Sequence, residues 1–120
     1  MKEMENAGII ENNRTQMRRG VLEYSILLIL AAGDEYASSI IQKLKDVNII
    51  VAEGTTYPLL IRLKKLGLLS YRWEESPQGP PRKYYMITQM GREQLAGLDA
   101  AWEELSQAIS TIRKGKEETI

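Results

Sequence analysis

The chain between residues 53 and 71 reads EGTTYPLLIRLKKLGLLSY. Leu59, Leu60, Leu63 and Leu66 recur at helical spacing, and Gly67 closes the run as a residue that tolerates the left-handed turn ending many helices. Pro58 stands inside the run. Deep in a helix a proline removes a backbone hydrogen bond and clashes with the preceding turn, at about 3 kcal/mol. In the first turn its missing N–H has no intrahelical partner to lose. With Thr55 as N-cap, Pro58 falls at the third helical position, so the helix is expected to start near Gly54 or Thr55. A start at Ala52 or Glu53 would instead put the proline in the second turn and bend the helix there. On a helical wheel the leucines gather on one side, while Tyr57, Ile61, Lys64 and Lys65 lie on the other. Such an outer face has the chemistry of a DNA-reading helix: ammonium groups meet phosphates or guanine edges, and Ile61 suits a thymine methyl. Thr55 and Thr56 add hydroxyls at the end where backbone N–H groups also favour phosphate. A solvated helix with a basic face has the same composition, so the neighbouring segments must separate the two.

After Gly67 the period changes to two. Leu69, Tyr71 and Trp73 alternate with Ser70, Arg72 and Glu74 as in a half-buried strand, the stretch Ser76 to Pro81 is a turn, and RKYYMIT is a second strand. This hairpin carries Arg82 and Lys83 beside its tip, where a basic wing would make a second phosphate contact. The bland alternative is a charged strand end that discourages aggregation. Upstream, Ile40, Ile41, Leu44 and Val47 form one stripe of a short helix over 37–47. An earlier helix over 17–32 contains the block Ile26 to Leu30, apolar on every side and therefore central, with Gly33 as its left-handed stop. Three helices followed by a hairpin is the winged helix-turn-helix order, a mainly α (α+β) fold.

Thr88 is a suitable N-cap for a last helix running to Lys114. Its apolar residues Leu95, Leu98, Trp102, Leu105, Ile109 and Ile112 are spaced 3-4-3-4-3, a narrow seam that suits a partner helix. The expected organisation is an N-terminal arm (1–16), a winged helix-turn-helix domain (17–87), a C-terminal dimerisation helix (88–114) and a tail (115–120). Arg14, Arg18 and Arg19, at the start of the first helix, are either a further backbone contact or merely solubilising.

A chain of 120 residues with 43% hydrophobic residues has one core. It has neither cysteine nor histidine, which excludes disulfides and removes the commonest general base and metal ligand together. No cofactor or metal is expected, and the scattered or adjacent acids offer no catalytic pair, so an enzyme is the least favoured class. No secretory segment is visible and no apolar run approaches the roughly 20 residues that span a bilayer, so a cytoplasmic protein without membrane association is expected. Net charge is zero, yet residues 55–83 carry six basic side chains against two acids, and residues 91–120 carry four against six. Local sign decides which surface attracts phosphate.

The segments GTTYPLLIRLKKLGLL and RKYYMITQMGREQL, with MRRGVLEYSILLIL before them, resemble the PadR family of bacterial transcriptional regulators over about residues 17 to 105. The resemblance implies that the first segment is the recognition helix and that the second spans the strand after the wing tip and the start of a dimerisation helix. It further implies a homodimeric repressor, similar in length to the short subfamily that includes a lactococcal multidrug-binding regulator. In that relative a tryptophan of the last helix stacks on planar drugs at the dimer interface, and Trp102 matches its place; alternatively, Trp102 simply fills the dimer core. The sequence departs from the family in having Ala52 where a side-chain cap is often found and Thr56 where leucine is common. These differences bear on the cap and first-turn packing of the recognition helix.

Three functions are thus open. The first is a dimer that binds double-stranded DNA at a pseudo-palindromic operator through Thr55, Thr56, Tyr57, Ile61, Lys64, Lys65, Arg82 and Lys83, with half-sites about one helical turn apart. The second adds release by a small planar, aromatic or apolar effector at Trp102. The third is a winged-helix protein–protein interaction module without DNA binding, which zero net charge and the acidic last helix would suit.

Overall fold

The structure, a computed structural model, describes residues 2–50 and 53–119. Along the chain run α1 (Lys2–Ala32), β1 (Glu35–Tyr36), α2 (Ala37–Asp46), a 3-10 turn (Glu53–Thr55), α3 (Thr56–Lys65), β2 (Leu69–Ser76), β3 (Gly79–Ile87) and α4 (Gln89–Thr119). This is the winged helix-turn-helix order with one strand more than expected. β1 has only two residues, too few to show a period, and pairs Glu35 and Tyr36 with Tyr85 and Tyr84 of β3. The sheet is antiparallel in the order β1-β3-β2. Its inner end meets Ile26, Leu27 and Leu30 of α1, Ile40 and Leu44 of α2, and Leu60 and Leu63 of α3, all essentially inaccessible to water. Leu28 is exposed, so the apolar block of α1 is not buried on every side.

Two apolar residues assigned to buried stripes point outward, and one cause accounts for both. α2 and α3 each end in a Schellman turn. Ile49 N–H donates to the Leu44 carbonyl and Asn48 N–H to that of Lys45; Leu68 N–H donates to the Leu63 carbonyl and Gly67 N–H to that of Lys64. Asn48 and Gly67 take the left-handed conformation this turn requires, at φ 61° and 80°. The turn tucks Ile49 and Leu68 under the helix and leaves the C-cap residues, Val47 and Leu66, exposed. Gly33 does not have a positive φ; α1 ends without a left-handed residue, and the chain passes within two residues into β1.

At the wing tip the turn is shorter than expected. β3 resumes at Gly79 and includes Pro80 and Pro81, because β1 covers β3 only at Tyr84 and Tyr85 and leaves its outer edge open near the tip. Glu74 pairs with Arg82 and Ser76 with Gly79, so the two prolines oppose the single Glu75 in a bulge.

The joint between wing and α4 is tight. Thr88 caps α4 as expected, its Oγ1 accepting from Gly91 N–H at 3.0 Å, and the same hydroxyl donates to the Gly67 carbonyl at 2.6 Å. Thr88 N–H donates to the Leu68 carbonyl at 3.1 Å. A Cβ on Gly91 would lie 2.2 Å from that Leu68 oxygen, so only glycine fits there. α1 is longer than expected: helix begins at Lys2, not near Met17, with residues 2–14 exposed. α4 likewise continues to Thr119, beyond the expected end at Lys114. Among the described residues no helix is long and apolar enough to cross a membrane.

Candidate nucleic-acid interface

α3 begins at Thr56, which makes Pro58 its third residue. The proline is therefore in the first turn, where no intrahelical bond is lost. Thr55 occupies the N-cap position, but with helical angles (φ −88°, ψ −19°) and no bond from its hydroxyl. The 3-10 turn before it already points the backbone along the helix, so a side-chain cap is not what starts α3. Ala52, where the family pattern places a cap, lies outside the described residues.

Of the predicted contacts, Thr55 in the 3-10 turn and Tyr57, Ile61, Lys64 and Lys65 on α3 are exposed. Thr56 is not: it is completely buried, which rules it out as a DNA contact. The reason is positional, since it precedes Leu60 by four residues and Leu63 by seven and so shares their face. Its Oγ1 has no hydrogen-bond partner among the described residues. Leu59 is packed against the core.

The wing folds toward α3. Tyr71 of β2 is the meeting point: Lys64 from α3 lies 5.4 Å above its ring centroid and Lys83 from β3 lies 4.6 Å from it. Lys83 also reaches Trp73, at 5.7 Å, and Arg82 lies 4.0 Å over Tyr36 of β1. These aromatic platforms hold the cations in place while leaving their charge available. Two nearby acids, Glu74 and Asp34, are engaged by Arg72, at 2.7 and 3.5 Å. Among the described residues Lys64, Lys65, Arg82 and Lys83 make no ion pair, so the face keeps its positive sign.

Between α3, the start of α2 and the wing lies a cleft of about 360 Å³, lined by Tyr36, Ser38, Tyr57, Ile61, Trp73, Arg82 and Lys83. The buried Tyr85 also lines it, its phenol pushed up by burial and then by neighbouring Tyr71 and Tyr57. Glu35, just before α2, is held below the usual carboxylate range by hydrogen bonds from Lys43 and Ser39. The cleft thus joins the two predicted contact regions and adds three residues the sequence reading passed over. Tyr36 and Ser38 gave no periodic signal. The alternation in β2 predicts a half-buried Trp73, yet the sheet outruns the core and leaves it 61% exposed.

Arg14 and Arg18 lie near Glu11, at 3.8 and 3.3 Å, along one side of α1. On α4, Leu95 belongs to the chain's own core and Leu98 packs against it, so the exposed part of the predicted seam begins at Trp102 and continues through Leu105, Ile109 and Ile112. The correction for Leu95 follows from the wing joint, which presses the first turns of α4 onto the domain. Trp102 stands 6.2 Å from Tyr24 of α1, and a groove of about 540 Å³ runs from Met17 past Trp102 to Arg113. Tyr24 donates to Asp99 at 2.5 Å, and its phenol is pushed up to about 12 by that bond, by burial and by the charges of Asp99 and Glu103. Among the described residues no group of acids is placed to hold a metal ion.

A basic helix face beside a basic wing on a three-helix core defines a winged-helix DNA-binding protein. The sequence model of the Transcriptional regulator PadR-like family matches residues 26–97, and the chain belongs to that family, whose members are transcription factors and not enzymes. It is similar to a PadR-like transcription factor from Bacteroides fragilis, with 55% identity and a TM-score of 0.70 over 84% of this chain and 98% of that one. A PadR-like regulator from Bacillus cereus shares 38% identity (TM-score 0.72, covering 81% and 95%). A PadR family regulator from Eggerthella lenta shares 30% (TM-score 0.78, covering 91% and 96%).

Proposed function

We propose that the chain is a homodimeric, cytoplasmic repressor that binds a pseudo-palindromic operator. The recognition helix enters the major groove with Tyr57, Ile61, Lys64 and Lys65, and Arg82 and Lys83 of the wing contact the flanking backbone. The observation that carries this reading is the convergence of Lys64 and Lys83 on the ring of Tyr71, which makes helix and wing one cationic surface. Dimerisation is assigned to the exposed apolar residues Trp102, Leu105, Ile109 and Ile112 of α4 with Met17 and Leu28 of α1. A planar aromatic or apolar effector fits the same region, between Trp102 and its symmetry mate, where it would change the separation of the two recognition helices. By linkage an effector that weakens DNA binding must itself bind the DNA-bound state less well.

The test is to offer the purified protein, with its dimeric state established by sedimentation, a pool of random and genomic duplexes at low salt. Enrichment of sites with two half-sites about one helical turn apart, with affinity falling steeply as salt rises, is the expected result. A dimer that enriches nothing refutes the reading. For the effector, quenching of tryptophan emission by planar compounds must disappear in Trp102→Ala, since Trp73 also emits.

A further inference from the structure

The cleft between α3, α2 and the wing is mixed in a specific way: two cations and a hydroxyl stand among exposed aromatic rings. Trp73 is the odd member. A tryptophan 61% exposed on a strand presents a large, rigid apolar face to whatever enters the cleft. Its ring meets Tyr71 edge-on, with centroids 5.8 Å apart, and its other near neighbour is the Lys83 ammonium. Tyr57 and Ile61 of α3 and Ser38 of α2 also line the cleft.

We infer that this cleft seats one sugar–phosphate strand of the duplex, with Trp73 packing its ring against a deoxyribose. The inference rests on the DNA-binding reading above and adds the occupant of the cleft and the role of Trp73. A strand that borders the major groove must pass between a helix inserted in that groove and a wing lying outside it, and this cleft is the space between them. Its lining offers both kinds of group that a sugar–phosphate backbone can meet. Arg82 and Lys83 match phosphates, the Ser38 hydroxyl is a further donor, and the ring of Trp73 matches the apolar edge of a sugar. Contact with sugar carries no sequence information, so Trp73 contributes affinity equally to every duplex the protein binds.

The alternative role for Trp73 is to position Lys83, and the salt dependence distinguishes them. The dissociation constant of a duplex enriched by the wild-type protein is measured across a range of salt for the wild type, Trp73→Ala, Trp73→Phe and Lys83→Ala. The ring is exposed, so thermal melting of the variants should match the wild type. Trp73→Ala is expected to weaken binding about tenfold at every salt concentration, because the lost contact is uncharged, and Trp73→Phe to lose about threefold or less. Lys83→Ala is expected to lower the salt slope by about one, as removal of a phosphate contact does. The inference is overturned if Trp73→Ala binds within twofold of the wild type. It is equally overturned if Trp73→Ala lowers the slope as Lys83→Ala does, since the ring then acts only through the lysine. If the wild type binds no duplex, the DNA-binding reading itself falls and this inference with it.

Discussion

Replacing Gly91 by alanine tests the joint that fixes α4 to the wing. The added Cβ would lie 2.2 Å from the Leu68 carbonyl oxygen and 2.7 Å from Ile87 Cγ1. A carbon needs about 3.3 Å from a carbonyl oxygen, so the first turn of α4 must move by about 1 Å. Three hydrogen bonds lie on that path: Gly91 N–H to Thr88 Oγ1 at 3.0 Å, Thr88 Oγ1 to the Gly67 carbonyl at 2.6 Å, and Thr88 N–H to the Leu68 carbonyl at 3.1 Å. A displacement of that size breaks or badly weakens all three, each worth about 1 kcal/mol net. Alanine in a helix recovers up to about 1 kcal/mol relative to glycine. The expected loss is therefore about 2 kcal/mol, or about 8 °C in Tm for a chain of this size. Gly97 is the control. It lies in the same helix with nothing within 4 Å of a built Cβ, so Gly97→Ala should raise Tm by a few degrees. Both are read by circular dichroism at equal protein concentration, because association with a partner shifts apparent stability. A Gly91→Ala protein that melts with the wild type refutes the reasoning, as does a Gly97→Ala protein destabilised to the same extent.

Thr56→Val removes a buried hydroxyl that has no partner among the described residues while keeping the shape, and should raise stability by about 1 kcal/mol in urea denaturation; a loss would mean that the hydroxyl is satisfied. The raised Tyr24 pKa stabilises the fold fully below the unfolded value of 10.0, and that contribution is lost as pH rises through about 12. Tyr24→Phe should abolish that alkaline loss, and Asp99→Asn should bring the Tyr24 phenolate transition, followed by its absorbance, to lower pH. An unchanged transition in Asp99→Asn would refute the assignment of the shift to that bond.

What was legible in the sequence is what repeats over several turns. α3, the β2–β3 hairpin and α4 show their periods plainly, and the outer face of α3 follows from the wheel. Thr56 was legible too, because its spacing from Leu60 and Leu63 is that of the buried face, but its hydroxyl suggested a polar role. Val47 and Leu66 have the right spacing for burial and are exposed because a Schellman turn changes direction just before the stripe would continue. Leu95 fits the heptad spacing of the seam equally well, and only the three-dimensional joint at Gly91 assigns it to the chain's own core. β1 could not be read at all, since two residues have no period and its pairing with β3 bridges about fifty residues of chain. Tyr36, Ser38 and Trp73 come together with Arg82 only in the folded cleft, so no local pattern marks them as a group.

In the proposed mode of binding, the outer face of α3 reads base sequence while the wing supplies affinity alone. Duplex selection carried out in parallel with the wild type, Ile61→Ala, and the double variant Arg82→Ala with Lys83→Ala tests it most directly. Ile61→Ala is expected to change the base preferred at a defined position of each half-site, by about 1–3 kcal/mol of discrimination. The wing variant should enrich the same sequences as the wild type with uniformly weaker, less salt-sensitive binding. An Ile61→Ala protein that enriches the wild-type sequences unchanged, or a wing variant that enriches different ones, would contradict it.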